Sequence, residues 1–278
     1  MSVAQFVPQI WTTKILRTLE DNLVAKKICN MDAEGEIKKA GDTVYFNGLA
    51  DPTITAYTGS VSYEGLQDSG LSMVIDQQNY FAFKVSDIQK AQANVDLKGS
   101  QAARAAYKLK EACDTNIMSL YGDANLTVTD ASCDTASILS TMGAIQQELA
   151  QVNVPSSDMW TVIPPWVQLK LKLAGVKFNI NEGINGTGGM AWTNELGFDV
   201  YVTNQVVNTG TVAVPVSKVM AGSYSAIAFA QQIIETESLR LEGSFDTGVR
   251  GLHVFGRKVV RPDLLCTATL TFAAESAI

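Results

Sequence analysis

Histidine is almost missing from this sequence, and its scarcity limits the kinds of catalytic site that the chain can hold. The 278 residues include one histidine, His253, in the strand-like segment RGLHVFG. A histidine that acts as a base or a metal ligand works with partner groups, and no second imidazole is present. The chain also lacks the GxSxG motif of a nucleophile elbow. We therefore interpret His253 as a packed strand residue and predict no catalytic residue.

Cysteine pairs and long apolar runs are absent as well. The four cysteines are scattered and form no CxxC pair, so neither a zinc site nor a redox site is predicted. No apolar run approaches the roughly 20 residues that cross a membrane. The N-terminal residues MSVAQFVPQIWTTKIL lack the basic region and apolar run of a signal peptide. We expect a protein that is made in a reducing cytoplasm and has no membrane partner.

Charge is low, and positive charge is especially scarce. Charged residues make up 18% of the chain, below the roughly 25% of an average domain, and the net charge is −7. Such a protein is poorly suited to binding phosphate backbones, although it can still enclose nucleic acid passively. The shortage of charge has two explanations that the sequence leaves open. Either much of the surface is buried against partners, or a large core is covered by neutral polar loops.

Two further patterns come close to binding motifs without matching them. The loop Gly183–Gly189 lacks the Lys-Ser/Thr of a phosphate loop, and we expect a flexible tip there. Asp32, Glu34 and Glu36 alternate but do not match a calcium loop. We therefore predict no metal and no cofactor.

The densest basic patch can pair with acidic groups on a neighbour, face nucleic acid, or form the solvent face of a strand. It consists of Arg250, Arg257, Lys258 and Arg261.

The most informative feature that is present is a β-rich excursion followed by a long helix. From Asp42 to Phe83, alternating and β-branched runs are broken by Gly, Pro, Asn and Asp, which is typical of strands and turns. The next segment has helical periodicity and a predicted stop at Gly122. Arms, hairpins and spanning helices of this kind suit contacts with neighbouring subunits better than they form a pocket. The predicted buried stripe of the helix is Ala102, Ala106, Leu109, Cys113, Ile117 and Leu120.

The rest of the chain mixes helices and strands, which indicates an α+β fold. A second helix is predicted from about Thr135 to Gln151, with Asp134 as its cap. The segment MWTVIPPW predicts a buried strand that leads into a helix beginning at Pro165. The C-terminal third predicts several strands. Two more helical stripes are Trp11, Ile15, Leu19 and Leu23 in the N-terminal arm, and Ile138, Met142, Ile145 and Leu149 in the second helix.

Three segments carry a resemblance to a known family. They are FVPQIWTTKILRTLEDNLVAKKICN, FKVSDIQKAQANVDLKGSQAARAAYKLKEACD, and the ending AGSYSAIAFAQQIIETESL with GVRGLHVFGRKVVRPDLL. In this order they resemble the major capsid proteins of tailed bacteriophages, which have the Hong Kong 97-like fold. The resemblance covers nearly the whole chain. It implies an N-terminal arm, an extended β-hairpin loop, a long spine helix, a peripheral domain and an axial domain.

The resemblance also implies where these parts begin and end. The spine helix is expected within about 86–122. The expected divisions are an N-terminal arm over 1–41, an extended loop over 42–83, a peripheral domain with the spine helix over 84–154, an axial domain over 155–220, and the C-terminal strands of the peripheral domain over 221–278.

The function implied by the resemblance is structural rather than enzymatic. Family members assemble into pentamers and hexamers that close an icosahedral head around double-stranded DNA. The expected partners are other copies of the chain, a scaffold, a portal and decoration proteins, with assembly in the host bacterial cytoplasm and a final location in the virion. The sequence begins with Met1 and shows no long charged N-terminal scaffold segment, which favours a separate scaffold. The alternatives are an encapsulin-like compartment around cargo enzymes and an enzyme with a carboxylate site, which the residues disfavour.

Contacts between subunits are expected from the arm, the loop and the basic patch. Some relatives crosslink their shells through a loop lysine, but no lysine lies between Asp42 and Phe83, so we expect non-covalent contacts. The candidate contact residues are Phe6, Ile10 and Trp11 in the arm, Asp51, Tyr57, Tyr63, Glu64 and Asp68 in the loop, and Arg250 and Arg257 near the C-terminus.

Overall fold

A computed structural model describes residues 24–32, 43–46, 54, 56, 70–86, 97–175, 197–240 and 246–274. The predicted N-terminal helical stripe and the loop Gly183–Gly189 lie outside these ranges. In chain order the elements are α1 (Ala25–Ile28), β1 (Thr43–Phe46), β2 (Leu71–Val74), β3 (Gln77–Ser86), α2 (Leu97–Met118), β4 (Leu126–Cys133), α3 (Ile138–Gln151), β5 (Met159–Ile163), α4 (Pro165–Leu173), β6 (Asp199–Val202), β7 (Val216–Ser223), β8 (Ile227–Arg240), β9 (Asp246–Val259) and β10 (Leu265–Phe272).

The long helix α2 confirms the predicted spine and its buried stripe. The α-helix ends at Met118, and a 3-10 turn over Ser119–Asp123 continues it past the predicted stop at Gly122. The exposed fraction of each predicted stripe residue is 9% or less, whereas Arg104 and Tyr107 face solvent. The stripe was predictable because residues three and four apart share one face of a helix.

An antiparallel sheet with the order β3-β9-β8 packs against the spine helix. Residues directly opposite each other in such a sheet share a face. Ala82 and Glu237 both lie opposite Arg250, and Tyr80 lies opposite Leu252. We call the face that carries these residues the outer face. The other, inner face contributes buried aromatic residues to a cluster shared with α2, which includes Phe229, Phe255, Cys113 and Ile117.

A second sheet has the order β4-β10-β7-β5-β6 and is mixed in direction. β10 runs parallel to β4 and antiparallel to β7, and β5 runs parallel to β6. β5 is buried at all five positions, as its apolar sequence predicted. Helices α3 and α4 pack on this sheet, and Pro165 occupies the first turn of α4 as expected. The stripe Ile138, Met142, Ile145 and Leu149 of α3 is fully buried.

The start of α3 differs slightly from the predicted helix. The helix begins at Ile138, and a turn formed by the three preceding residues lies between it and Asp134. The Asp134 Oδ1 atom accepts hydrogen bonds from the backbone N–H groups of Ala136 and Ser137, at 3.0 and 2.8 Å. These bonds hold the pKa of the Asp134 carboxyl below its usual value. Asp134 therefore orders the turn ahead of the helix.

The five-stranded sheet combines strands from three of the predicted divisions. β4 comes from 84–154, β5, β6 and part of β7 come from 155–220, and β10 comes from 221–278. The division into peripheral and axial domains therefore remains a prediction.

Candidate assembly surfaces

The predicted contact residues fall into two groups. Eight of them lie outside the described residues and remain predictions: Phe6, Ile10, Trp11, Asp51, Tyr57, Tyr63, Glu64 and Asp68. The other two, Arg250 and Arg257, both lie on β9. Because their sequence numbers differ by an odd count, their side chains point to opposite faces of the sheet.

Arg250 lies in the open on the outer face. Its side chain is 65% exposed, and its Nε and Nη2 atoms lie 2.8 and 2.5 Å from Oε2 of Glu237 on β8. Lys84 and Asp246 form a second, longer ion pair at 3.7 Å. Exposed pairs of this kind contribute about 0–1 kcal/mol to folding. Arg250 is therefore oriented by Glu237 and still accessible to another chain.

The outer face beside Arg250 has two shallow apolar hollows. One, of about 320 Å³, is lined by Ala82, the stem of Lys84 and Leu239 among others, and one, of about 340 Å³, by Tyr80, Ala82 and Leu252 with Arg250. Tyr80 is 77% exposed. Exposed apolar surface of this kind marks an interaction site more often than scattered single residues do. The hollows form a strip that can receive apolar side chains of another chain next to a positive charge.

Arg257 faces inward and contacts its own chain. Its Nε donates to the carbonyl oxygen of Asn116 at 2.9 Å, and its Nη2 lies 3.5 Å from Oγ of Ser119. Carbonyl groups in the last turn of a helix lack intrahelical partners, so a cation there stabilises the helix end. Arg257 thus ties β9 to the end of the spine helix. A role between subunits remains a prediction.

Lys258, a member of the predicted basic patch, and Gly256 were not named as candidate contact residues, and both contact β2 of their own chain. Lys258 donates a hydrogen bond from Nζ to the carbonyl oxygen of Ser72 at 2.7 Å. Gly256 lies where β2 crosses β9, and a Cβ atom added there would lie 2.9 Å from the Val74 oxygen. Both residues hold the hairpin β1–β2, the root of the predicted extended loop. Glycine inside a strand is a known signal of close backbone approach, so Gly256 could have been found from the sequence.

The single histidine is a packed strand residue, as predicted. His253 is 1% exposed, and its Nδ1 lies 4.0 Å from Sγ of Cys113 while its Nε2 lies 3.3 Å from Oε1 of Gln231. Burial lowers the pKa of His253 to about 4, because the charged form is poorly solvated. Burial likewise raises the pKa of the Cys113 thiol to about 12. Both groups are therefore neutral near pH 7.

Asp114 is a buried carboxyl on the spine helix, and it contacts the N-terminal part of the chain at Ala25. It is 3% exposed, and its Oδ1 accepts a hydrogen bond from the backbone N–H of Ala25 at 3.3 Å. Burial raises the pKa of Asp114 to about 6, while that bond and the charge of Lys110 act in the opposite direction. Asn30 continues the attachment by exchanging backbone hydrogen bonds with Ile227 and Phe229 of β8. The segment from Ala25 to Asn30 is thus fixed to both the helix and the sheet.

The part of the chain that the structure describes contains no group of three or more His, Cys, Asp or Glu residues that could hold a metal ion. None of the helices within the described ranges is long and apolar enough to cross a membrane.

Comparison with protein families gives one match that covers most of the chain. A family model described as phage capsid protein matches residues 71–268. The match therefore includes both sheets and the spine helix. No curated protein sequence matches the chain significantly.

Comparison with solved structures gives many significant matches. A structure from Mycobacterium phage Che8 is 26% identical over 89% of this chain and 91% of its own, with a TM-score of 0.72. The capsid of Ralstonia phage GP4 is 13% identical over 90% of this chain and 87% of its own, with a TM-score of 0.64. A virus-like particle from Pyrococcus furiosus is 12% identical over 94% of this chain and 99% of its own, with a TM-score of 0.59. The last two similarities concern the fold alone.

Proposed function

Because this chain belongs to the phage capsid protein family, we propose that it is the repeating subunit of an icosahedral phage head, grouped into pentamers and hexamers around double-stranded DNA. Its role as a structural major capsid protein and its Hong Kong 97-like fold agree with the expectations from the sequence. The observation that carries the proposal is the family match over residues 71–268, together with the similarity to the Che8 structure over nine-tenths of both chains.

Contacts between copies are proposed to use the outer face of the three-stranded sheet. The segment between β1 and β2 is acidic, because Asp51, Glu64 and Asp68 lie in it and no lysine does. The strip beside Arg250 offers a guanidinium flanked by apolar hollows. A loop of a second copy that carries tyrosines and carboxylates complements such a strip in both charge and polarity. Each contact is weak, but many of them acting together hold a lattice firmly.

The remaining roles follow from the same proposal. Enclosed DNA would be held by confinement rather than by sequence readout, in keeping with the net charge of −7. The chain would act without catalysis or cofactor, assemble in the bacterial cytoplasm, and meet a scaffold, a portal and decoration proteins there. The arm, extended loop, peripheral domain and axial domain would have the boundaries expected from the sequence.

Assembly of the purified protein tests this function directly. The full chain is expressed in bacteria with a scaffold supplied, separated by sedimentation, and imaged by electron cryo-microscopy. Closed shells with fivefold and sixfold capsomers are expected, and DNA is expected in particles recovered from infected cells. A subunit that stays monomeric at high concentration by light scattering would contradict the proposal. Shells filled with a cargo enzyme would favour the encapsulin-like alternative instead.

A charge reversal at the outer face tests the proposed contact. Arg250→Glu removes the positive charge that would meet the loop carboxylates, and we expect it to abolish closed shells while the subunit remains folded. The control is Arg104→Glu, which makes the same change of charge on the exposed side of the spine helix. Normal shells from Arg250→Glu would remove the outer face from the proposal.

A further inference from the structure

The root of the extended loop is attached to one end of the outer face. Buried side chains of β1 and β2, namely Val44 and Met73, pack with Ile75 against Ala230 and Val254 of the three-stranded sheet. The exposed strip around Arg250 lies at the other end of the same face. Gly256 lies six positions after Arg250 in β9, which corresponds to about 20 Å along a strand. The root of the loop and the strip that a neighbouring loop would occupy therefore lie on one face, at its two ends.

Two contacts besides apolar packing determine how the root sits. The Lys258 ammonium donates to the Ser72 carbonyl oxygen at 2.7 Å, although 186 residues separate the two in sequence. This bond fixes the backbone of β2 and not merely a side chain. A bond from a charged donor to a carbonyl that is partly shielded from water is among the stronger hydrogen bonds in proteins.

Gly256 sets the distance between β2 and β9. A Cβ atom placed on Gly256 would lie 2.9 Å from the Val74 carbonyl oxygen and 3.2 Å from the Ile75 Cα. The added Cβ would also lie 2.6 Å from the Ile75 Cδ1, which could move aside, but the other two atoms belong to the backbone, so the hairpin would have to move as well. A small displacement at the root of a long segment is magnified toward its far end. Gly256 and Lys258 thus act on the same short stretch of β2, one by close approach and one by a bond.

We propose that Gly256 and Lys258 form a root clamp that sets the direction in which the extended loop leaves the body, and with it the size of the shell. This inference rests on the proposed function, since shell size has meaning only for an assembling subunit. The angle between neighbouring subunits decides whether a lattice closes and at what diameter. The clamp fixes one of the elements that define this angle. Gly256 and Lys258 are positioning residues, because they act through the loop and not by contact with a neighbour.

The first test measures the clamp in the unassembled subunit. Lys258→Met keeps the aliphatic stem but removes the bond, and we expect roughly tenfold faster hydrogen exchange at the amides of β1 and β2. Lys258→Arg can still donate to the Ser72 oxygen and should return the exchange to within a few-fold of the natural protein. The control is Lys218→Met, which removes a single lysine hydrogen bond to Thr269 in the other sheet. Unchanged exchange in Lys258→Met would overturn the clamp whether or not shells form.

The second test measures shell size. Particles of Lys258→Met and Gly256→Ala are expected to have a shifted or broadened diameter distribution by electron cryo-microscopy. Lys258→Arg and the control Gly143→Ala, whose added Cβ would meet nothing within 4 Å, are expected to keep the natural diameter. Natural diameters in Lys258→Met would overturn the inference, and this variant decides even if Gly256→Ala does not fold. Failure of the natural chain to form any shell would count against the proposed function instead, while the exchange experiment still decides the clamp.

Discussion

At the scale of single residues, two buried titratable groups near the C-terminal end of the spine helix have pKa values displaced in opposite directions. Asp114 has its pKa raised from 3.8 to about 6, and His253 has its pKa lowered from 6.5 to about 4, in both cases by burial. A raised carboxyl pKa means that the folded state is favoured at low pH and loses that advantage as the pH rises from 3.8 to about 6. A lowered histidine pKa means that the folded state is favoured above 6.5 and loses that advantage as the pH falls to about 4.

Replacement of Asp114 by asparagine should stabilise the subunit above pH 6. The amide keeps an acceptor for the Ala25 N–H but carries no buried charge, so the gain at pH 8 should be roughly 3 kcal/mol and should shrink toward zero near pH 4. Urea unfolding of the unassembled subunit at both pH values measures this difference. Asp123→Asn, at an exposed carboxyl just beyond the same helix, serves as the control. An equal change at pH 4 and pH 8 would show that burial of the charge is not the cause.

Replacement of His253 by glutamine should make the free energy of unfolding increase as the pH falls. In the natural protein the two groups oppose each other between about pH 4 and 6, so the free energy of unfolding changes little in that range from their titration. His253→Gln removes the loss on acidification, and the remaining Asp114 should make the subunit more stable, by roughly 3 kcal/mol, as the pH falls from 6.5 to 4. The slope of unfolding free energy against pH is the measurement, since its sign is independent of any packing defect. A slope equal to that of the natural protein would contradict this prediction.

Residue contacts also show where inference from the sequence ends. The burial of His253 was predicted because it lies in an apolar strand and the sequence has no second imidazole for catalysis or metal binding. The partner of Arg257 was not predicted, because its distance to the Asn116 carbonyl depends on how β9 packs across the spine helix. The bond from Lys258 to Ser72 is equally non-local. Local pattern predicts which side of an element is buried, and the tertiary packing decides which atoms then meet.

At the scale of elements, the spine helix offers a sharp test of the buried stripe. Ala106 is 1% exposed at the middle of α2, so Ala106→Arg would place an unpaired guanidinium in a packed layer. We expect a cost of several kcal/mol, seen as insoluble protein or a much lower thermal midpoint. Ala103→Arg makes the same substitution at an exposed position of the same helix and should change the midpoint little. Equal midpoints for the two variants would mean that the stripe does not carry the packing.

Helices and strands differed in how far the sequence predicted them. The stripes of α2 and α3 and the all-apolar strand β5 were predicted because their periodicity lies within a few residues of sequence. The pairing of β10 between β4 and β7 was not, since it joins segments far apart in the chain. The predicted strand character from Asp42 to Phe83 is confirmed where the structure describes it, in β1, β2 and most of β3. The pairing of Thr43 with Val74 joins β1 to β2 at the root of the loop. It forms only when the two ends of the loop meet, so local sequence does not determine it.

At the scale of the whole molecule, the order of the segments predicted the family although no single motif did. The order of the three segments in the sequence resembled tailed-phage capsid proteins, and the family match over residues 71–268 confirms the family. The contact residues were harder to predict, because a surface that binds a neighbour carries no internal periodicity. Eight of the ten lie outside the described residues, and the other two contact their own chain in the subunit.

Cohesion of the shell should be entirely non-covalent in the extended loop. A crosslink to an amide or carboxyl group requires a nucleophilic amine in its unprotonated form, and lysine supplies it in proteins. No lysine lies between Asp42 and Phe83, and Lys84, where β3 has already joined the sheet, is 73% exposed beside Asp246. An exposed lysine beside a carboxylate lacks the dry site that would make its amine a nucleophile. Mature particles boiled in detergent should therefore release one band near the subunit mass of 29.9 kDa. A ladder of covalent multimers that survives boiling and reducing agent would contradict this, and mass spectrometry of its peptides would identify the lysine responsible.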